Sequence, residues 1–149
     1  MTLTWITKPF EALTLTELYA LLQLRAEVFV VEQSCAFQDL DGQDQAATHL
    51  LGYTEAGELA AYTRLFEAGI SYPEASIGRV VTSPKFRRYG LGRALMEQSI
   101  KAIETLFGPQ PIQIGAQHYL KEFYESFGFR QHDEGYLEDG IPHIHMTRH

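Results

Sequence analysis

The chain has 149 residues, 45% hydrophobic and 21% charged, with a formal net charge of -7. That length suits one domain burying roughly two-thirds of its unfolded surface, and the balanced composition excludes disordered and fibrous classes. Cys35 is the single cysteine, which excludes an internal disulfide framework or a cysteine-based zinc cluster and fits a reducing compartment.

The opening MTLTWITKPF has no apolar signal-peptide run, and nothing nears the roughly 20 apolar residues of a membrane span, so a cytoplasmic protein is expected. Leu3 to Thr7 reads as a first strand. Leu15, Leu18, Leu21 and Leu22 give a helix over about Thr14 to Arg25 its apolar face, and Val28 to Val31 lead on toward a polar loop. Residues 34 to 48 are acidic and irregular. A strand at His49 to Thr54 turns at Gly57 into a second at Leu59 to Phe66. Ile77, Val80 and Val81 mark a central strand that Pro84 ends. From Leu91 onward Met96, Ile100, Ile103 and Phe107 recur at helical spacing until Gly108 and Pro109. Ile112 to Gly115 is the next strand, which a right-handed helical crossover sets parallel to the one at Ile77. Leu120, Phe123, Tyr124 and Phe127 mark a short helix that Gly128 closes, and Phe129 to His132 and His143 to Thr147 remain as antiparallel strands. The fold class is α/β, a mixed sheet with helices on both faces.

The stretch from Ile77 to Leu95 passes from strand through a basic glycine-bearing turn into a helix. No Asp or Glu occurs from Ala75 to Met96, although Arg79, Lys85, Arg87, Arg88 and Arg93 lie there. Unpaired amides at a helix start, approached past Gly90 and Gly92, accept an anion such as a phosphate. A local positive field on an acidic chain argues for one bound anion rather than a nucleic-acid surface. The GxxxxGK[ST] phosphate loop is absent. The dinucleotide pattern fails because Leu95 stands at its third glycine and no acidic ribose ligand follows.

Arg87, Gly90 and Gly92 form RxxGxG, which resembles the acyl-CoA signature of the GNAT superfamily of N-acyltransferases. IQIGAQ from Ile112 to Gln117 and FYESFGF from Phe123 to Phe129 match the later strand and helix of that family, and LRAEVFVVEQ and DGIPHIHM resemble its ElaA-type subgroup. The matching blocks span nearly the whole chain. The resemblance implies one GNAT domain over residues 1 to 149, a mixed sheet of about six to seven strands, and splayed parallel central strands. It also implies acetyl-CoA as co-substrate, with the acyl group passing by direct attack in a ternary complex to a primary amine on a small molecule or peptide. A monomer or homodimer, with neither nucleic acid nor membrane as partner, is expected.

On the same resemblance, Arg87, Arg88, Tyr89, Gly90, Leu91, Gly92 and Arg93 take the pyrophosphate, and Val80, Val81 and Thr82 the pantetheine. The Val81 amide donates to the thioester oxygen, and Tyr124, also at the cofactor, protonates the departing thiolate. Because Ala75 to Thr82 holds no carboxylate, Glu32, His118 and His143 stand as candidate general bases. Glu27, Glu32, Asp39, Asp41 and Asp44 either face a cationic acceptor or form a solvated acidic loop. DLDGQD departs from a calcium loop, since Gly42 comes two places early and Leu50 fills the twelfth position. His143 and His145 share a strand face but lack a third ligand, so no metal is expected. Two other functions compete: a non-catalytic acyl-CoA-binding module, and an acyl-homoserine-lactone-synthase-like transferase, whose RxxVF element Arg25, Val28 and Phe29 resemble.

Overall fold

The computed structural model describes residues 1–149. β1 (Thr4–Pro9) leads to α1 (Leu15–Arg25), which starts where Thr14 closes a reciprocal cap. Its Oγ1 accepts from the Glu17 amide at 3.0 Å, and a Glu17 carboxylate oxygen accepts from the Thr14 amide at 2.8 Å. The buried stripe runs Leu21, Leu24 and Val28, against Leu51, Tyr62 and Val81. Leu15, expected on that stripe, is 86% exposed because it lies one turn before the helix meets the sheet. Nor does the helix give way to loop after Arg25, for Ala26–Glu32 continue it as π-helical turns.

β2 (Thr48–Tyr53), β3 (Leu59–Phe66) and β4 (Ala75–Thr82) follow as antiparallel neighbours. α2 (Leu91–Phe107) crosses back, and β5 (Ile112–Gln117) returns parallel to β4. α3 (Lys121–Glu125), β6 (Phe129–Gln131), β7 (Tyr136–Glu138) and β8 (Ile141–Arg148) complete the chain. All eight strands join one sheet in the order β1-β2-β3-β4-β5-β8-β6, with β7 paired to β8. The mixed sheet and the helices on both faces agree with the reading above. The additional strand is β7, whose turn at Asp139 and Gly140 has positive φ at both residues. That is the two-residue hairpin that Asp-Gly favours.

One face of the sheet is closed by α2, which buries Leu91, Leu95, Met96, Ile100 and Ile103 against Ile77, Ile112, Ile114 and Met146. α1 closes the other face. Two irregularities sit between them at the centre. β4 and β5 pair only at Ala75 with Ile112 and Ser76 with Gln113, and then part. β4 is also bulged: Tyr62 pairs with Val81 and Arg64 with Gly78, so three steps on β4 span two on β3. Arg79, inside the bulge, has φ +50°.

Candidate active site

Where β4 and β5 separate, a cleft of about 480 Å³ opens, within the range of small-molecule sites. Ile77 to Thr82 form one wall and Ile114 to Gln117 the other. Tyr124 reaches it from α3, Phe29 and Glu32 from the π-helical turns, and His143 from β8. A parallel sheet interrupted in this way leaves backbone amides and carbonyls on both walls without sheet partners, and such groups are strong hydrogen-bonding sites.

Which amides those are follows from the register. The Ser83 amide donates to the Ala60 carbonyl at 2.8 Å, and Thr82 stands opposite Ala61 in β3. Along an antiparallel strand successive amides face opposite neighbours. The Val81 amide therefore faces β3, opposite Tyr62, while those of Val80 and Thr82 face the cleft. The Val81 side chain is likewise buried under α1. Val81 is the thioester donor expected from sequence; its amide is turned to β3, and the neighbouring amide that faces the cleft is that of Val80. The period-2 rule would have separated the two, but the bulge and the β3 register that fix its phase are tertiary facts.

At the mouth of the cleft, Gly90 (φ 68°, ψ 25°) is the N-cap of α2, and no side chain caps the helix. The amides of Leu91, Gly92 and Arg93 lie in a first turn without acidic residues, which is an anion-accepting end. Arg87 and Arg88 stand on the preceding 3-10 turn, Pro84–Tyr89, where Arg88 lies over the Tyr89 ring at 5.6 Å. The Arg93 side chain points elsewhere, donating to Ser126 Oγ at 3.2 Å and covering the Phe127 ring at 4.5 Å. It ties α2 to α3 and leaves only its main chain to the loop.

Arg87 grips Glu32 with both guanidinium nitrogens, at 2.8 and 2.6 Å. Those hydrogen bonds hold the Glu32 carboxyl below its usual range. His118, on an exposed turn, is not among the cleft residues. Of the three candidate bases only His143 lines the cleft free of a competing cation, at 8% exposure. Its Nδ1 lies 2.7 Å from the Ile141 carbonyl, which can only accept, so Nδ1 carries the proton and a neutral ring keeps a lone pair on Nε2. Glu138 Oε2 stands 3.4 Å from that Nε2. His145 is engaged apart from His143, with Nδ1 2.6 Å from Asp133.

Tyr124 is 5% exposed, with Phe123 and Phe129 edge-on to its ring. Burial pushes its phenol well above the ordinary value, so it keeps its proton across physiological pH.

The acidic segment is only in part the solvated loop that was one of its two expectations. Glu27 is exposed, but Asp39, Asp41 and Asp44 are neutralised by arginines from three other elements. Arg25, fully buried, donates to Asp39 at 3.0 Å and Asp44 at 2.7 Å; Arg64 donates to Asp41 and Asp44. Asp39 and Asp44 are buried and Asp41 stays exposed, and none of the three lines the cleft. Sequence reasoning also passed over Glu138 and took Arg79 only as part of a basic run. A charge inside an otherwise uncharged strand was the available signal for Arg79.

The family model described as Acetyltransferase (GNAT) domain matches residues 17–149. The chain belongs to the GNAT acetyltransferase family. It is 44% identical over 138 residues to the protein ElaA of Escherichia coli K12, covering 91% of this chain and 90% of ElaA. The crystal structure of an acyl-CoA N-acyltransferase from Pseudomonas aeruginosa superposes with a TM-score of 0.93 at 46% identity, over 99% of this chain and 100% of that one. Escherichia coli ElaA superposes with a TM-score of 0.91 at 40% identity, over 99% and 100%. The protein is thus an acyltransferase of GNAT fold, and that fold implies acyl-CoA as donor. No helix of this GNAT chain is long and apolar enough to cross a membrane. No three His, Cys, Asp or Glu side chains are grouped to hold a metal ion.

Proposed function

We propose that this acyltransferase moves an acetyl group from acetyl-CoA to a primary amine by direct attack within a ternary complex. The observation that carries the reading is the alignment of two features: the strand separation that frees the Val80 and Thr82 amides, and the uncapped start of α2 at its mouth. The main chain from Arg88 to Arg93 holds the diphosphate, with Arg87 and Arg88 as charge-assisted donors. The pantetheine then lies along β4, with the thioester oxygen at the Val80 amide. One preorganised donor of that kind lowers the barrier by about 3 kcal/mol as the oxygen becomes negative.

His143 Nε2 takes a proton from the incoming ammonium, and the freed nitrogen bonds to the thioester carbon. As the carbon–sulfur bond breaks, Tyr124 gives its proton to the sulfur, and the second proton lost in forming the amide restores the phenol. The raised pKa of Tyr124 suits a donor that must be protonated at every turnover.

The test is thiol release from acetyl-CoA across a panel of small and peptide amines. Turnover with at least one primary amine is expected. Tyr124→Phe should lower kcat by roughly 100-fold, in the range for loss of a general acid, while calorimetry finds CoA affinity within about threefold. A non-catalytic binding module would show no turnover before or after that substitution.

A further inference from the structure

The Val80 amide belongs to the peptide unit joining Arg79 to Val80, so the backbone angles at Arg79 aim it. Those angles are unusual. Arg79 has φ +50°, a left-handed conformation that a side chain with a Cβ disfavours, while Gly78 next to it does not take a positive φ. Some interaction must hold the arginine there.

The guanidinium supplies it. Arg79 Nε lies 2.8 Å from Asp39 Oδ1, while Nη2 donates to the Asp39 carbonyl at 3.0 Å and to Asp41 Oδ2 at 3.3 Å. Its plane also covers the Phe37 ring, 5.6 Å from the centroid. The acceptors are themselves fixed from behind. Arg25 donates from Nε to Asp39 Oδ2 and from Nη2 to the Asp39 carbonyl, both at 3.0 Å, and Arg64 forks onto Asp41 with two bonds of 2.9 Å. Arg64 is the β3 partner of Gly78, at the near edge of the bulge. Arginines from α1, β3 and β4 thus converge on one loop, and the loop grips the bulged residue.

We infer that Arg79 is a positioning residue: clamped by Asp39 and Asp41, it holds the β4 bulge so that the Val80 amide meets the thioester oxygen. This rests on the acetyl-transfer reading above. It assigns to the ion network a role in catalytic geometry, exerted through the β4 backbone.

The discriminating variant is Arg79→Gly, which permits φ +50° but removes the clamp. Isotope-edited infrared spectra of [1-13C]acetyl-CoA bound to the full chain read the hydrogen bond to the carbonyl directly. In the unsubstituted protein the bound carbonyl band should fall below that of free acetyl-CoA. In Arg79→Gly at least half of that shift should vanish, and kcat with an accepted amine should fall about 20-fold or more. The calorimetric Kd for CoA should stay within threefold, because the diphosphate loop is untouched. Arg79→Lys should recover only part of the shift, since an ammonium lacks the fork. If Arg79→Gly fails to fold, Asp41→Asn should show a smaller loss of the shift in the same direction. A full wild-type shift and kcat in Arg79→Gly, or an undiminished shift in Asp41→Asn, would overturn the inference. A protein that binds acetyl-CoA with an unshifted band would overturn it while leaving the donor site standing. Failure of the unsubstituted protein to bind acetyl-CoA would overturn the functional reading as well.

Discussion

Glu32 and Arg87 hold each other across the mouth of the cleft, and either an acyl-CoA diphosphate or Glu32 can have the guanidinium fork. A surface pair of this kind contributes little to stability, so its effect should appear in ligand affinity. Glu32→Gln removes the competing charge, and CoA affinity by calorimetry should rise about three- to tenfold at low ionic strength, the gain shrinking as salt screens the loop. The same variant examines Glu32 as a base, because a loss of kcat of about 100-fold or more would reinstate it. The residues whose placement was legible from sequence were those with local geometry: Arg87, Gly90 and Gly92 lie within six positions, on the turn and at the start of α2. The pairing of Asp39, Asp41 and Asp44 was not legible because their partners lie between 14 and 40 residues away in sequence, and only folding brings Arg25, Arg64 and Arg79 onto them.

Among the elements, α2 was legible at both ends, since its apolar period is strong and glycines bound it. Gly90 matters to its start in a way that a substitution can expose. At φ +68°, with nothing within 4 Å of an added Cβ, the position is unfavourable for any side chain on backbone grounds alone. Gly90→Val should therefore lower stability by about 1–2 kcal/mol, a fall in Tm of a few degrees for a chain of this size. Because relief of that strain would shift the Leu91 to Arg93 amides, CoA affinity should drop about tenfold or more. A valine variant with unchanged CoA binding would argue against main-chain recognition at this turn. The π-helical extension of α1 left no comparable trace, for its wider turns follow no 3.6-residue period. The bulge in β4 was equally silent: Arg79 occupies a left-handed conformation that sequence rules reserve for glycine, and the contacts permitting it come from another part of the chain.

At the level of the whole molecule, the sheet separates where helices on both faces hold its halves, and the network of Arg25, Arg64 and Arg79 secures one side of that gap. Stability should therefore track the protonation of its acids. Burial alone would raise the Asp41 carboxyl, but the Arg64 fork, the Gln43 amide and the charges of Arg64 and Arg79 outweigh it and bring the pKa down to about 2 from 3.8. A carboxylate lowered by folding contributes stability that is complete above its unfolded pKa and lost as pH falls toward its folded one. For Asp41 that window is from about pH 4 to pH 2, and because the residue is exposed, solvent screening holds its contribution well below the full value of the shift. Asp44 is shifted the same way: burial is again outweighed, by hydrogen bonds from Arg25 and Arg64. His49 adds an earlier stage. Its ring is buried between the Asp44 carbonyl and the Tyr62 hydroxyl, and burial lowers its pKa from 6.5. The folded state therefore favours the neutral ring, and stability should begin to decline as pH drops below about 6.5, where the unfolded chain takes up the proton first. Urea midpoints measured from pH 7.5 to 2.5 should fall in two stages, a shallow one below pH 6.5 and a steeper one below pH 4. His49→Gln should remove the first stage and leave the second, whereas a midpoint unchanged down to pH 3 would mean that these ion pairs do not hold this side of the cleft.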